Sequence, residues 1–129
     1  MTENNMVFII DPDDAHSREV SALLTDLGFC TNTYRSAEDL LEEEPYRSTN
    51  ACIISEMNLP GMDGLDLVRT LRERNQALPV IILTRDTNVS RAVEAFRVSV
   101  ADYLIKPYVE RKLVNRVRNA LNQAGIPGT

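Results

Sequence analysis

Short runs of purely apolar residues alternate along this chain with longer segments in which apolar residues recur every three or four positions. The clearest runs cover residues 6–10, 51–54 and 79–83, and weaker ones cover residues 29–34 and 103–105. A run that is apolar at every position is typical of a strand buried on both faces, as in a parallel sheet covered by helices. The alternation therefore predicts an α/β fold with a doubly wound, five-stranded parallel sheet and five helices.

The length and composition fit one globular domain. A chain of 129 residues, with 43% apolar and 26% charged residues, is ordinary for a single folded unit. We expect a domain over residues 1–123 and a tail, or the start of a linker, over residues 124–129. No apolar run approaches the roughly 18 residues of a membrane-spanning helix. The N-terminus lacks the features of a secretory signal, so we expect a cytoplasmic location with reduced cysteines.

Charge is distributed unevenly along the chain. Residues 1–64 hold thirteen acidic and three basic side chains, whereas residues 65–129 hold six acidic and eleven basic ones. Two interpretations stay open: solvated helix faces, or a basic docking surface formed by the C-terminal helices. The net charge of −5 argues against direct binding of nucleic acid by this domain.

Polar side chains stand at the ends of four predicted strands. Three aspartates lie within residues 11–14, and Glu56, Thr84 and Lys106 stand at the ends of the third, fourth and fifth strands. Ligands of such sheets bind beyond the carboxyl ends of the strands, so these residues are expected to form one site. The carboxylates could bind a hard cation such as Mg2+, and the ammonium could pair with a phosphoryl oxygen. The sequence has no Gly-rich phosphate loop and no serine with a histidine partner, which argues against nucleotide and triad chemistry.

Five segments, in this order, resemble the receiver domain of response regulators in two-component signalling, a CheY-like family with flavodoxin-like topology. The segments are FIID (8–11), LGF (27–29), LPGMDGL (59–65), PVIILT (79–84) and ADYLIKP (101–107). The resemblance extends over about residues 6–122. It implies a (βα)5 fold and a role in signal transduction.

The resemblance also assigns roles to individual residues. Asp11 matches the first residue of the family's acidic pair, and Lys106 matches the lysine that pairs with the phosphate. Thr84 matches the switch hydroxyl and Tyr103 the switch aromatic, although Tyr103 could also be a half-exposed strand tyrosine without that role. The bond from Lys106 to Pro107 matches the family's cis peptide.

Three positions depart from the family's pattern. Pro12 stands where the second acidic residue contacts Mg2+ directly, Glu56 stands at the phosphoacceptor aspartate, and Arg85 stands where a small residue leaves the site open. Asn58 matches the position whose backbone carbonyl binds the metal.

Weak or absent Mg2+ binding, and hence no bound cofactor, is predicted from these departures. Pro12 has no side-chain oxygen, while Mg2+ demands near-ideal octahedral coordination. The remaining metal candidates are Asp11, Asp13, Glu56 and Asn58. Asp13 has an alternative role, because it or Asp14 can cap the first helix.

Glu56 is predicted to impair phosphoryl transfer. Its carboxylate extends one C–C bond, about 1.5 Å, beyond that of an aspartate, and a misplacement of about 1 Å can cost roughly a hundredfold in rate. Because the longer side chain partly imitates an aspartyl phosphate, Glu56 could hold Lys106, or draw Thr84 inward, without a phosphoryl group. Alternatively, Glu56 is an ionised rim residue with no switching role.

Arg85 is predicted to act as a gate. A guanidinium can form a two-pronged bond to a carboxylate, so Arg85 could pair with Glu56 or Asp11 where metal or phosphodonor would enter. The alternative is that Arg85 points to solvent.

These observations predict a signalling protein rather than an enzyme. The leading interpretation is an atypical (pseudo-)receiver, a regulatory protein-interaction module that works independently of Mg2+-dependent aspartyl phosphorylation. One alternative is a residual phosphoryl acceptor that uses Glu56 in a histidine-kinase phosphorelay. Another is a small flavodoxin-like ligand binder.

The resemblance implies signalling proteins as partners: a histidine kinase or an output domain, including domains that regulate transcription. In the family, the last two helices and the fifth strand form the output face, so we expect a homodimer there. Asp102 is expected to meet Arg116 across the two-fold axis. Apolar contact is expected from Val98, Val109 or Leu113, because exposed ion pairs contribute only about 0–1 kcal/mol each. No membrane contact is expected.

Overall fold

The structure, a computed structural model, describes residues 5–47 and 50–125. Strands and helices alternate strictly along these residues, as predicted. The elements are β1 (Met6–Ile10), α1 (Asp14–Asp26), β2 (Cys30–Tyr34), α2 (Ala37–Glu43), β3 (Ala51–Glu56), α3 (Gly64–Glu73), β4 (Val80–Thr84), α4 (Val89–Arg97), β5 (Asp102–Ile105) and α5 (Glu110–Gly125). The last helix includes residues 124 and 125, and the rest of the predicted tail lies outside the described residues. In the part of the chain that the structure describes, no helix is both long and apolar enough to cross a membrane.

The five strands form one parallel sheet in the order β2-β1-β3-β4-β5. The chain runs outward from β1 to β2, crosses back to β3, and then continues outward through β4 and β5. This reversal places the ends of β1 and β3 side by side, which is where ligands of doubly wound sheets bind. The predicted fold class is confirmed.

The sheet is covered by helices on both faces, which explains why its central strands are apolar at every position. Alternate strand residues point to opposite sides. Phe8 and Ile53 pack against α2, α3 and α4, whereas Ile9 and Ile54 pack against α1 and α5. The edge strand β2 is mostly exposed or half-buried, which accounts for its weaker apolar pattern.

Side-chain caps fix where the helices begin. Asp13 accepts hydrogen bonds from the backbone N–H groups of Ala15 and His16, so the predicted cap of α1 is confirmed. At α2, Ser36 accepts from the N–H of Asp39. At α3, Asp63 and Asp66 form a reciprocal capping box. Each cap satisfies N–H groups that have no partner within the helix.

The helix α4 is unusual because it leaves most of its apolar residues in solvent. Ala95 is its buried residue, whereas Val89, Val93 and Phe96 are 74%, 46% and 58% exposed. The spacing of these residues correctly predicted a helix, but the face that they form does not pack on the sheet.

Candidate functional site

The carboxyl ends of the strands form the floor of an open groove, which we call the strand-end crevice. Side chains from these ends and from the first turn of α1 line it: Asp11, Asp13, His16, Glu56, Asn58, Arg85 and Lys106. The structure therefore brings together the predicted site residues other than Thr84 and Tyr103, and it adds one histidine.

Glu56 and Lys106 form a close ion pair in this crevice. Lys106 Nζ lies 2.6 Å from Glu56 Oε2, and the two side chains are only 12% and 15% exposed. The backbone N–H of Lys106 donates to the carbonyl of Thr84, which holds the end of β5 against β4. Burial raises the pKa of Glu56; the ammonium of Lys106 opposes this effect, and the charge of Asp11 adds to it. Glu56 is thus a largely buried carboxylate, paired with Lys106, rather than a rim residue.

His16 is the crevice residue that the sequence did not predict. Its Nδ1 lies 2.5 Å from Oδ2 of Asp11 and 3.7 Å from Oε2 of Glu56. Since Asp13 caps α1, His16 is the third residue of that helix, and the first turn carries it back over the end of β1. The signal in the sequence was its position: His16 is a titratable residue in the first turn of a helix whose cap closely follows β1, a strand that ends at the site.

Asp13 and Asn58 were predicted as candidate metal ligands, but their side chains contribute little to the crevice. The Asp13 carboxylate is used by its cap, with Oδ1 at 3.0 Å and 3.2 Å from the N–H groups of Ala15 and His16. Its own N–H donates to Asp11 Oδ1 at 2.9 Å, which fixes the orientation of the Asp11 carboxylate. Asn58 is exposed at the mouth of the crevice.

The prediction that Arg85 pairs with Glu56 or Asp11 is wrong. Arg85 is exposed and lines the crevice mouth, and within residues 5–47 and 50–125 its guanidinium forms no ion pair with either carboxylate. The cations that neutralise these acids are Lys106 and, when protonated, His16. The backbone of Lys106 and of His16 lies at the crevice floor, whereas Arg85 lies on the loop that leaves β4 toward solvent.

Thr84 and Tyr103 do not line the crevice. Thr84 is 2% exposed, and its Oγ1 accepts the N–H of Asp86 at 3.0 Å. The Tyr103 ring packs on the core and against Phe96, with ring centroids 6.5 Å apart. Its hydroxyl is buried beside Thr84 without a well-formed hydrogen bond among the described residues, and burial raises the pKa of Tyr103. Tyr103 as a whole is partly exposed, while its hydroxyl end is buried. The Lys106–Pro107 bond is cis, as the resemblance implied.

The crevice does not fit the Mg2+ site that the resemblance implies. Pro12 supplies no oxygen, Asp13 caps α1, and Asp11 is in contact with an imidazole. Glu56 is in contact with an ammonium. Mg2+ requires near-ideal octahedral coordination by oxygen atoms. The donor set here offers fewer oxygen atoms than such a site needs and includes an imidazole nitrogen.

Comparison with known proteins agrees with this architecture. A family model described as the response regulator receiver domain matches residues 7–118. The transcriptional regulatory protein FixJ of Bradyrhizobium diazoefficiens is 30% identical over 124 residues, which cover 96% of this chain and 60% of FixJ. The response regulator TodT of Pseudomonas putida is 30% identical over 120 residues, which cover 93% of this chain and 52% of TodT. The chain therefore spans between about half and three-fifths of the length of these relatives.

Solved structures agree as well. A crystal structure of FixJ-N has a TM-score of 0.86 and 26% identity, covering 95% of this chain and 97% of that chain. A full-length FixJ structure from B. japonicum has a TM-score of 0.87 and 28% identity, covering 97% of this chain and 61% of that chain.

Proposed function

The chain belongs to the response regulator receiver domains of two-component signalling, and on that premise we propose that it is an atypical receiver whose state does not depend on Mg2+-dependent aspartyl phosphorylation. It acts by binding other signalling proteins rather than by catalysis, and it works in the cytoplasm. A histidine kinase, or an output domain that regulates transcription, is the class of partner that this function requires.

The Glu56–Lys106 pair carries the proposal. Lys106, the lysine that would pair with a phosphoryl group, is already paired with the Glu56 carboxylate 2.6 Å away. Glu56 carries about one negative charge where a phosphoryl group carries nearly two, so it substitutes for that group in reach but only partly in charge. The buried hydroxyl of Tyr103 beside Thr84 is consistent with a domain held in one state.

A second copy of the chain is the partner that α4 and β5 would contact in a homodimer. These elements and the loop that follows carry exposed apolar residues: Val89, Val93, Phe96, Ile105 and Val109. Two earlier expectations need correction. Arg116 Nε lies 2.8 Å from Asp102 Oδ2 within one protomer, so this pair already has its partner. Leu113 is fully buried against the sheet, so Val109 is the exposed contact of the three predicted.

Intact-mass measurement after incubation with acetyl phosphate and Mg2+ tests the proposal. We expect the natural chain to gain no phosphoryl group, because its carboxylate is displaced and its metal ligands are incomplete. The variant Pro12→Asp/Glu56→Asp supplies the missing carboxylate at position 12 and shortens the acceptor side chain to an aspartate, and it is expected to gain one phosphoryl group. A typical receiver with an aspartate at the acceptor position serves as the control for the phosphodonor. A labile phosphoryl group on the natural chain, lost in Glu56→Gln, would overturn the proposal.

The second candidate function is a residual phosphoryl acceptor at Glu56 in a histidine-kinase phosphorelay. It is favoured by one observation, namely that a carboxylate, Lys106 and Thr84 remain at the ends of adjacent strands, as phosphoryl transfer would need. The same mass measurement decides between the two functions. A flavodoxin-like ligand binder, the third class, would reveal a bound chromophore in the absorbance spectrum of the purified protein.

A further inference from the structure

Three donor side chains, two carboxylates and one imidazole, converge at the crevice floor. One atom each from Asp11, His16 and Glu56 lies within 4.8 Å of the other two. The imidazole Nδ1 is between the two acids, 2.5 Å from Asp11 Oδ2 and 3.7 Å from Glu56 Oε2. These side chains come from the end of β1, the first turn of α1 and the end of β3, so the fold itself brings them together.

The donor types favour a borderline transition metal over Mg2+. Imidazole nitrogen suits Zn2+, Cu2+ and Ni2+, whereas Mg2+ prefers carboxylate, carbonyl and water oxygens. One nitrogen and two carboxylates match the three protein ligands of open zinc sites, in which water fills the fourth position. The crevice is open to solvent above these residues, so water can complete the coordination.

Side-chain movements of about 1–1.5 Å would bring the three donor atoms to the spacing of a metal site. Two donors that are each about 2.0–2.1 Å from a tetrahedral Zn2+ lie about 3.3 Å apart. The His16–Asp11 distance of 2.5 Å must therefore lengthen, and the His16–Glu56 distance of 3.7 Å must shorten, each by less than about 1 Å. The Asp11 and Glu56 donors, which lie within 4.8 Å of each other, must approach by up to about 1.5 Å. Such changes are within the reach of side-chain rotation.

The surroundings hold the ligands in place. The side chain of Asp11 is 5% exposed, and its other oxygen accepts the N–H of Asp13 at 2.9 Å. Lys106 contacts Oε2 of Glu56, but a carboxylate offers about four lone-pair positions on two oxygens, so it can serve the lysine and a metal together. Outer partners of this kind orient metal ligands and strengthen binding.

We propose that Asp11, His16 and Glu56 form a binding site for one divalent transition-metal ion of the Zn2+ type. This site differs in ligand set and metal class from the Mg2+ site of the resembled family, because His16 supplies nitrogen where that site uses oxygen alone. The inference does not rest on the proposed function: the donors would bind Zn2+ whether or not the domain accepts a phosphoryl group.

Isothermal titration with Zn2+ and, separately, with Mg2+ tests the site. The protein carries Cys30→Ser, because Cys30 is an exposed thiol that could bind zinc by itself, and it carries no affinity tag. We expect one Zn2+ per chain and much weaker binding of Mg2+. His16→Ala should weaken Zn2+ binding by at least about tenfold, the smaller end of the loss that even an outer-shell change causes. Glu56→Gln should also weaken it.

Asp14→Asn is the matched control. Asp14 is in the same turn of α1 as His16, but its carboxylate pairs with Arg35 at 2.9 Å, away from the crevice. We expect this variant to bind Zn2+ as the parent protein does. Circular dichroism confirms that each variant is folded, and the visible spectrum of bound Co2+ reports nitrogen and oxygen coordination that should vanish in His16→Ala.

Three results would overturn the proposal: no Zn2+ binding by the folded parent protein, binding that His16→Ala leaves unchanged, or an equal loss in Asp14→Asn. The proposed function fails on a different measurement. Phosphoryl uptake at Glu56 would refute phosphorylation-independent signalling while leaving the Zn2+ titration as it is.

Discussion

The strand-end crevice and the junction between α3 and α4 use charge in opposite ways. In the crevice, Glu56 and Lys106 are largely buried and meet at 2.6 Å. At the α3–α4 junction, Arg91 pairs with Asp63 at 3.1 Å and with Glu94 at 3.3 Å, while Glu94 also contacts Arg69. These side chains are 30–41% exposed.

The contrast is between a largely buried ion pair, which constrains the geometry of a site, and exposed ion pairs, which lie on the surface without constraining one. A pair removed from water becomes costly when one partner is lost, because the other is left buried and unpaired. An exposed pair contributes little, since water replaces either partner. The junction also lies beside the exposed apolar residues of α4, so its charges border a surface available to partners. The crevice charges instead satisfy one another.

Removing the lysine of the crevice pair is the strongest way to test this contrast. Lys106→Met leaves the Glu56 carboxylate without its ammonium. Breaking a fully buried pair costs about 3–5 kcal/mol, and because both side chains keep some exposure, we expect a loss of about 2–3 kcal/mol in the free energy of unfolding at neutral pH. Urea denaturation measures the loss.

Arg69→Met is the matched change at the α3–α4 junction. It also removes a cation from a carboxylate, but the pair with Glu94 is 41% and 37% exposed. We expect a loss below about 1 kcal/mol. Equal losses in Arg69→Met and Lys106→Met would show that the crevice pair is no more constrained than a surface pair.

The pH dependence of stability should differ in sign between the two regions. Burial raises the pKa of Glu56 above its usual 4.5, so the folded state binds a proton more tightly than the unfolded state does. The contribution of Glu56 to the free energy of unfolding therefore falls as pH rises from 4.5 through the raised pKa. Urea denaturation across this range should show the parent protein losing stability relative to Glu56→Gln.

Asp63 provides the opposite case. Its partial burial is outweighed by the N–H of Asp66 and the guanidinium of Arg91, which hold the pKa of Asp63 below its usual 3.8. Its contribution is present above 3.8 and is lost as pH falls through the lowered pKa. Asp63→Asn should therefore be less stable than the parent at neutral pH, with the difference shrinking in acid. A difference that grows in acid would contradict the assignment.

The smallest change in stability is expected on the apolar face of α4. Val89 is 74% exposed, so Val89→Ser should alter the free energy of unfolding by no more than about 0.5 kcal/mol. Sedimentation measurements should nevertheless show weaker self-association. Leu27→Ser, at an exposed apolar residue beyond the end of α1, is the control and should leave self-association unchanged. A chain that is monomeric at every concentration would contradict the homodimer.

Much of the candidate site could be predicted because it follows from strand order. Asp11, Glu56 and Lys106 each stand at the end of a strand, and parallel strands bring their carboxyl ends to one edge of the sheet. Arg85 also follows a strand, but its long side chain can turn to solvent, so its partner did not follow from its position. His16 was missed because a helix begins between it and the strand, and only the direction of that first turn brings it over Asp11.

The sequence by itself determined the α/β fold, the order of its elements, a helix cap at Asp13 or Asp14 and the position of the crevice, because hydrophobic periodicity and helix-capping chemistry are local properties. Tertiary structure decided which charges meet. It placed His16 rather than Arg85 beside Asp11, joined Asp102 to Arg116 within the chain, and turned the apolar face of α4 toward solvent. Such pairings depend on distances between elements far apart in the chain, which packing sets and local pattern does not contain.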